Sequence, residues 1–198
     1  MKNENTFVII KPDGIQRSLI GEVIGRFEKV GLKLVAMKMI LATKEDAEKH
    51  YTIDPNWLRL VGEKFLGDYE RRGVTPPSTD AVEIGKGILK NLSEYLTAGP
   101  VVIMVWQGAH AVQLVRKLVG STEPLTSDVG TIRGDFVLDS YQLSSTDGRV
   151  IRNIVHASGT PEEAKSEIAL WFKESEILNY KHIQEAILYD VNLDGILE

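Results

Sequence analysis

Apolar side chains recur along the chain with two different periods, and the changes of period mark out its elements. Thr6, Phe7, Val8, Ile9 and Ile10 make a β-rich run, predicted as a strand. It ends at Lys11-Pro12-Asp13-Gly14, a turn signal in which proline fixes φ and glycine is free to take positive φ. Ile20, Val23, Ile24, Phe27 and Val30 then recur at helical spacing, with Gly31 placed to end the helix. Residues 32–41 are again β-rich and partly alternating. Thr43 follows as the N-cap of a short predicted helix over 44–50. Residues 100–106, reading PVVIMVW, show no polar alternation, which predicts a strand buried on both faces. Ala111, Val112, Val115, Leu118 and Val119 predict the next helix, closed by Gly120.

The last unit of this kind covers residues 150–172. Val150, Ile151, Ile154 and Val155 have the apolar character and length of a buried strand. His156 follows, in the small-residue turn Ala157-Ser158-Gly159. Thr160 is the predicted N-cap of a helix, Pro161 stands at its first position, and Glu163 has the capping-box spacing. A histidine thus falls between a strand end and a helix N-terminus, where backbone N–H groups attract anions. By itself this stretch fits an ordinary buried histidine equally well.

Two stretches interrupt the regular pattern. Over about residues 52–87, Trp57, Leu58, Leu60, Val61, Phe65, Leu66 and Tyr69 suggest one or two helical turns, before Arg71-Arg72-Gly73 and Pro76-Pro77-Ser78 break them. Over about 139–150, Asp147-Gly148 is a hairpin-type turn signal. Both read as insertions. Between them lie a predicted helix through Ile88, Leu89, Leu92, Tyr95 and Leu96, and a loop-like stretch over 121–134. Ile183, Ile187 and Leu188 have helical spacing, and about 190–198 reads as an extension. The remaining order is βαβ, then α, then βαβα. This is the split βαβ pattern of a ferredoxin-like α+β fold, with an antiparallel sheet covered by helices. No repeat or linker divides residues 1–198, so a single domain is expected.

Composition narrows the chemistry. Hydrophobic content of 43% and charged content of 26% belong to a soluble globular protein. A formal net charge of −5 disfavours general affinity for nucleic acid or an anionic membrane. There is no cysteine, which excludes disulfides, thiolate zinc sites, iron–sulfur clusters and cysteine nucleophiles. No run approaches a membrane span, and the N-terminus does not resemble a signal peptide, so a cytoplasmic location is expected. His50, His110, His156 and His182 show no metal-ligand spacing, and no protein-held metal site is expected.

Five segments, in order, closely resemble nucleoside diphosphate kinases: residues 6–39, His50-Tyr51, residues 99–106 (GPVVIMVW), residues 130–135 (GTIRGD) and residues 152–172 (RNIVHASGTPEEAKSEIALWF). The resemblance spans most of the chain outside the two insertions. It implies a homo-oligomer, hexameric or tetrameric, that moves the γ-phosphoryl group from a nucleoside triphosphate to a nucleoside diphosphate through a phosphohistidine, with little base choice. In this resemblance His156 matches the nucleophile, and Ser158 and Glu167 match residues that orient its imidazole. Lys11, Tyr51, Arg116, Thr122, Arg133 and Asn153 match nucleotide-contacting positions. Mg²⁺ is the implied cofactor, held mainly by the nucleotide's phosphates.

The residue types suit that chemistry. An imidazole with a pKa of about 6.5 is largely uncharged and nucleophilic near neutral pH. Phosphoryl transfer needs in-line positioning and charge on the non-bridging oxygens, which Lys11, Arg116 and Arg133 could supply. No P-loop motif is present, in keeping with a different strategy. Three departures stand out. His156-Ala157-Ser158-Gly159 replaces the family's usual His-Gly-Ser-Asp. The family's base-stacking phenylalanine falls at Ile88, with Leu92 one helical turn on, so an aliphatic contact or an aromatic from residues 56–87 takes its place. The insertion at 139–150 adjoins the site in sequence. A nucleotide-binding oligomer without turnover, or a sheet-surface RNA binder, are the readings that compete; the second lacks the aromatic and basic strand pattern it needs.

Overall fold

The structure, a computed structural model, describes residues 3–189 and 192. The predicted extension at 190–198 lies outside the described residues, apart from Asn192. The chain runs through β1 (Glu4–Ile10), α1 (Pro12–Gln16), α2 (Ile20–Lys29), β2 (Lys33–Ile40), α3 (Lys44–Tyr51), α4 (Trp57–Arg71) and α5 (Ala81–Leu96). It continues through β3 (Val101–Gly108), α6 (Ala111–Val119), α7 (Ile132–Phe136), α8 (Tyr141–Thr146), β4 (Val155–Ala157), α9 (Pro161–Trp171) and α10 (Glu185–Leu188). The four strands form one antiparallel sheet in the order β2-β3-β1-β4, the arrangement expected of a split βαβ fold.

The two central strands, β1 and β3, explain why the sheet is covered on both faces. Successive side chains of a strand point to opposite faces. Val8 and Ile10 of β1 pack with Val102, Met104 and Trp106 of β3 against Val23 and Phe27 of α2 and Val115 of α6. Phe7 and Ile9 pack with Val101, Ile103 and Val105 against Ala47 of α3, Leu96 of α5 and Trp171 of α9. His156 of β4 lies opposite Ile9 in the register, and its ring approaches Phe7 on the α3–α9 side.

Several elements differ from the sequence pattern, each for a physical reason. Lys11-Pro12-Asp13-Gly14 does not remain a turn; proline at the first position opens the short helix α1. The predicted strand at 150–155 is reduced to β4. Val155 N–H donates to Asn153 O at 2.6 Å, closing a three-residue turn with Ile154 at φ 50°. That conformation is rare for a β-branched residue, and the propensity of Ile154 gives no hint of it.

The stretch at 121–134 ends in helix, because Thr131 caps α7 by accepting Gly134 N–H. The predicted hairpin at 139–150 is the helix α8, capped by Ser140, with Asp147 at its C-cap and Gly148 at φ 63° just beyond. Buried Asp139 accepts from both Nη atoms of Arg149 and from Arg152 N–H, which ties the two ends of that segment together. The supposedly irregular residues 52–87 hold α4 and the start of α5. These two helices pack with their backbones almost touching, at Gly62 against Ala81 and at Gly85 against Leu58. Glycine is a poor helix former, yet these two glycines are the contact surface, because they lack the Cβ that would collide.

Candidate active site

A cavity of about 660 Å³ opens beside β4, between the ends of α3, α5, α6 and α9. It is lined by His156, Lys11, Tyr51, Leu92, Arg116, Thr122, Arg133, Asn153 and Glu167 among others. These residues are spread from position 11 to position 167, and the antiparallel pairing of β1 with β4 is what brings the two extremes together.

His156 has a 20% exposed side chain, and Nε2 lies 2.7 Å from Oε1 of Glu167. Glu167 is only 1% exposed. Its second oxygen accepts the Ser158 hydroxyl at 2.6 Å, and Ser158 Oγ in turn accepts Phe7 N–H at 3.1 Å. Ser158 does not line the cavity; it is wholly buried beneath it. His50, which the sequence offered only as the neighbour of Tyr51, packs edge-on against His156 with ring centroids 4.6 Å apart. Trp171 Nε1 donates to His50 Nδ1 at 3.3 Å. Burial, then the nearby His156 and Lys11, hold the His50 pKa well below the ordinary histidine range, so His50 is a neutral wall. Tyr51 tilts against Trp57, and burial followed by the Glu167 charge raises its phenol pKa.

The three cations differ in what already holds them. Lys11 Nζ donates to Asn153 Oδ1 at 2.7 Å and lies 5.1 Å from the ring centroid of Tyr95. Burial, with Arg133 close by, pushes its pKa down to about 7, and Asp13 only partly offsets this. Arg133 is buried and binds backbone carbonyls: Asn153 O through Nε, Gly120 O and Ser121 O through Nη1, and Val155 O through Nη2. A guanidinium has five N–H donors, so Arg133 fixes the loop walls and keeps little hydrogen-bonding capacity for a ligand. Burial and then Arg116 lower its pKa to about 10. Among the described residues the Arg116 side chain makes no hydrogen bond or ion pair, so its guanidinium donors face the cavity unspent.

Asn153 links these groups outward. Its Nδ2 donates to Thr122 O at 3.0 Å. Thr122, Leu92 and Ile151 line both this cavity and an adjoining one of about 550 Å³ between α4, α5 and α8. Ile88 lines only the second. Sequence reasoning missed Tyr95, which supports Lys11, and the cavity-lining Asp54, Ile151, Glu162 and Glu163. For Glu163 a signal existed, its place in the capping motif; Tyr95 read only as one apolar position of a helix.

A sequence model of the nucleoside diphosphate kinase family matches residues 4–56 and 81–177. The chain belongs to the nucleoside diphosphate kinase family. It is therefore a phosphotransferase that moves phosphate between nucleotides. The Pyrobaculum aerophilum nucleoside diphosphate kinase is 48% identical over 182 residues, which cover 90% of this chain and all of that protein. The Archaeoglobus fulgidus enzyme is 42% identical, covering 94% and 98%. Among solved structures, a Pyrobaculum aerophilum NDP kinase superimposes with a TM-score of 0.86 at 46% identity, covering 89% of this chain and all of that one. A Borrelia burgdorferi nucleoside-diphosphate kinase, solved as a transition-state mimic with vanadate and ADP, gives a TM-score of 0.77 at 37% identity, covering 94% and 97%. Residues 57–80, which include all of α4, fall between the two spans matched by the family model. No helix among the described residues is long and apolar enough to cross a membrane.

Proposed function

We propose that the reaction runs through a phosphohistidine at His156, with a nucleoside triphosphate as donor and a nucleoside diphosphate as acceptor. The observation that carries this reading is the 2.7 Å contact between His156 Nε2 and the buried Glu167 carboxylate, within a cavity that also holds Lys11, Arg116 and Arg133. A carboxylate oxygen can only accept, so Nε2 carries the proton and Nδ1 keeps its lone pair. Nδ1 attacks the γ-phosphorus, an N–P bond forms, and the bond to the β,γ-bridging oxygen breaks, releasing the diphosphate. A second nucleoside diphosphate takes the phosphoryl group by the reverse path.

Lys11 and Arg116 meet the phosphate oxygens, while Arg133 holds the loop walls that place them. Asn153 and Thr122 add neutral hydrogen bonds, and Tyr51 closes one side of the cavity. Ser158 and Glu167 orient the imidazole. The base lies where the two cavities meet, against the aliphatic side chains of Leu92, Ile151 and Ile88. Such contacts do not read hydrogen-bonding edges, which suits broad base specificity.

Mg²⁺, carried on the nucleotide, would supply positive charge against the phosphates. His50, His156 and Glu167 cluster closely enough to suggest a metal triad. Both Glu167 oxygens are already engaged, by His156 and Ser158, and His50 Nδ1 accepts from Trp171, so only imidazole nitrogens remain there and the cluster does not suit a hard cation. Oxygen donors on the cavity wall, Asp54, Glu162 and Glu163, fit one better. A homo-oligomer, hexameric or tetrameric, is supported by the exposed Met37 and Met39 on edge strand β2, with Leu41 just beyond it, and by the exposed Leu125, Val129 and Leu138.

Incubation with γ-labelled ATP and Mg²⁺ tests the reading. It should yield an acid-labile, base-stable phosphoprotein that passes its label to GDP or CDP. His156→Ala should take up no label, and normal transfer by that variant would sink the proposal.

A further inference from the structure

Gly159 stands where the family usually has an aspartate, and another carboxylate fills the space. Oε2 of Glu163 accepts Gly159 N–H at 2.7 Å. A Cβ on residue 159 would lie 2.5 Å from that oxygen and 3.8 Å from Arg116 Nη1. Gly159 is not among the glycines with positive φ, so its backbone would accept any residue. The position therefore uses the missing side chain, not the conformational freedom of glycine.

The capping pattern at α9 points the same way. Thr160 Oγ1 accepts Glu163 N–H at 3.1 Å, which is half of a capping box. In the other half the Glu163 carboxylate would take Thr160 N–H, but here it reaches one residue further back. It ends on the cavity wall on the side of Arg116. A carboxylate facing bound phosphate is repulsive, unless a cation lies between them. Mg²⁺ is commonly held by one or two carboxylates together with substrate phosphates.

We propose that Glu163, admitted by Gly159, is the carboxylate this chain presents to the divalent cation carried on the nucleotide. The inference rests on reading the cavity as the site of phosphoryl transfer. Gly159 and Glu163 then form an interlocked pair. A side chain at 159 expels the Glu163 carboxylate, and an acidic one replaces it.

Calorimetric titration with ADP, in Mg²⁺ and separately in EDTA, tests the pair without relying on turnover. Wild-type protein should bind ADP more tightly with Mg²⁺ than without. Glu163→Gln should weaken the Mg²⁺-dependent binding roughly tenfold and leave metal-free binding equal or tighter, since a negative charge is removed. Gly159→Ala should behave like Glu163→Gln, because its Cβ displaces the carboxylate. The double variant Gly159→Asp/Glu163→Gln should recover the metal preference, a result that a merely structural role for Glu163 does not produce. Unchanged metal preference in Glu163→Gln, or equal weakening with and without metal, overturns the assignment. Wild-type protein that binds no ADP under either condition overturns the underlying reading of the cavity instead.

Discussion

Glu167 reaches His156 with one carboxylate oxygen at 2.7 Å and takes the Ser158 hydroxyl on the other at 2.6 Å. One buried group thus aligns the imidazole and is itself held in place from the opposite side. Replacing Glu167 by Gln keeps the shape but leaves a single carbonyl oxygen to serve two donors. Phosphohistidine formation in Glu167→Gln should slow by about 10- to 100-fold, the usual cost of losing such a supporting partner. Rapid-quench measurement of labelled enzyme checks this, and an unchanged rate would remove Glu167 from the orienting role.

Ser158 also joins the turn after β4 to β1, since it accepts Phe7 N–H. Ser158→Ala leaves that buried N–H without its partner and frees one Glu167 oxygen. An unsatisfied buried group costs about 1–3 kcal/mol. Urea denaturation should therefore give a lower midpoint with an unchanged slope, corresponding to about 2 kcal/mol.

Lys11 should make both stability and binding depend on pH. Its pKa falls to about 7 in the folded chain through burial and Arg133, against an ordinary value of 10.5. Between those values the unfolded chain holds more protons than the folded one, so this lysine makes stability rise with pH across that window. Below about pH 7 the folded chain carries the full cost of a buried charge. Bound phosphate should restore the charge, so ADP binding near pH 8 should take up protons. Calorimetry in buffers of different ionisation enthalpy measures that uptake, and Lys11→Met should abolish it.

The α4–α5 contact predicts an unusually strict requirement for glycine. A Cβ at Gly62 would overlap the carbonyl of Ala81, and one at Gly85 the carbonyl of Leu58. Alanine at either position would favour each helix in isolation, because glycine is the poorer helix former by about 1 kcal/mol. Here it should instead destabilise by about 1–3 kcal/mol, as overpacking does. It should also raise the apparent Kd for ADP, because α4 and α5 wall the second cavity. Thermal unfolding and titration of Gly62→Ala and Gly85→Ala decide this, and a gain in stability would contradict the close backbone contact.

Sequence alone determined the sheet, the helices that follow its strands, and most of the polar residues that gather around the cavity. Periodicity is a local property, and the unbroken apolar run of residues 100–106 or the helical spacing of Val23 and Phe27 survives whatever surrounds it. His156 and the three cations were legible because their segments match the family pattern in order. Tertiary structure decided the turn at Ile154, the role of Arg133 as a clamp on carbonyls, and the pairing of α4 with α5 through Gly62 and Gly85. It also placed Tyr95 under Lys11 and turned the capping residue Glu163 toward the cavity. These depend on contacts between distant segments, such as Lys11 with Asn153 and Phe7 with Ser158, 142 and 151 positions apart. Local propensity carries no information about buried hydrogen bonds or backbone contacts over such separations, so the site's residues could be named from the chain while their division of labour could not.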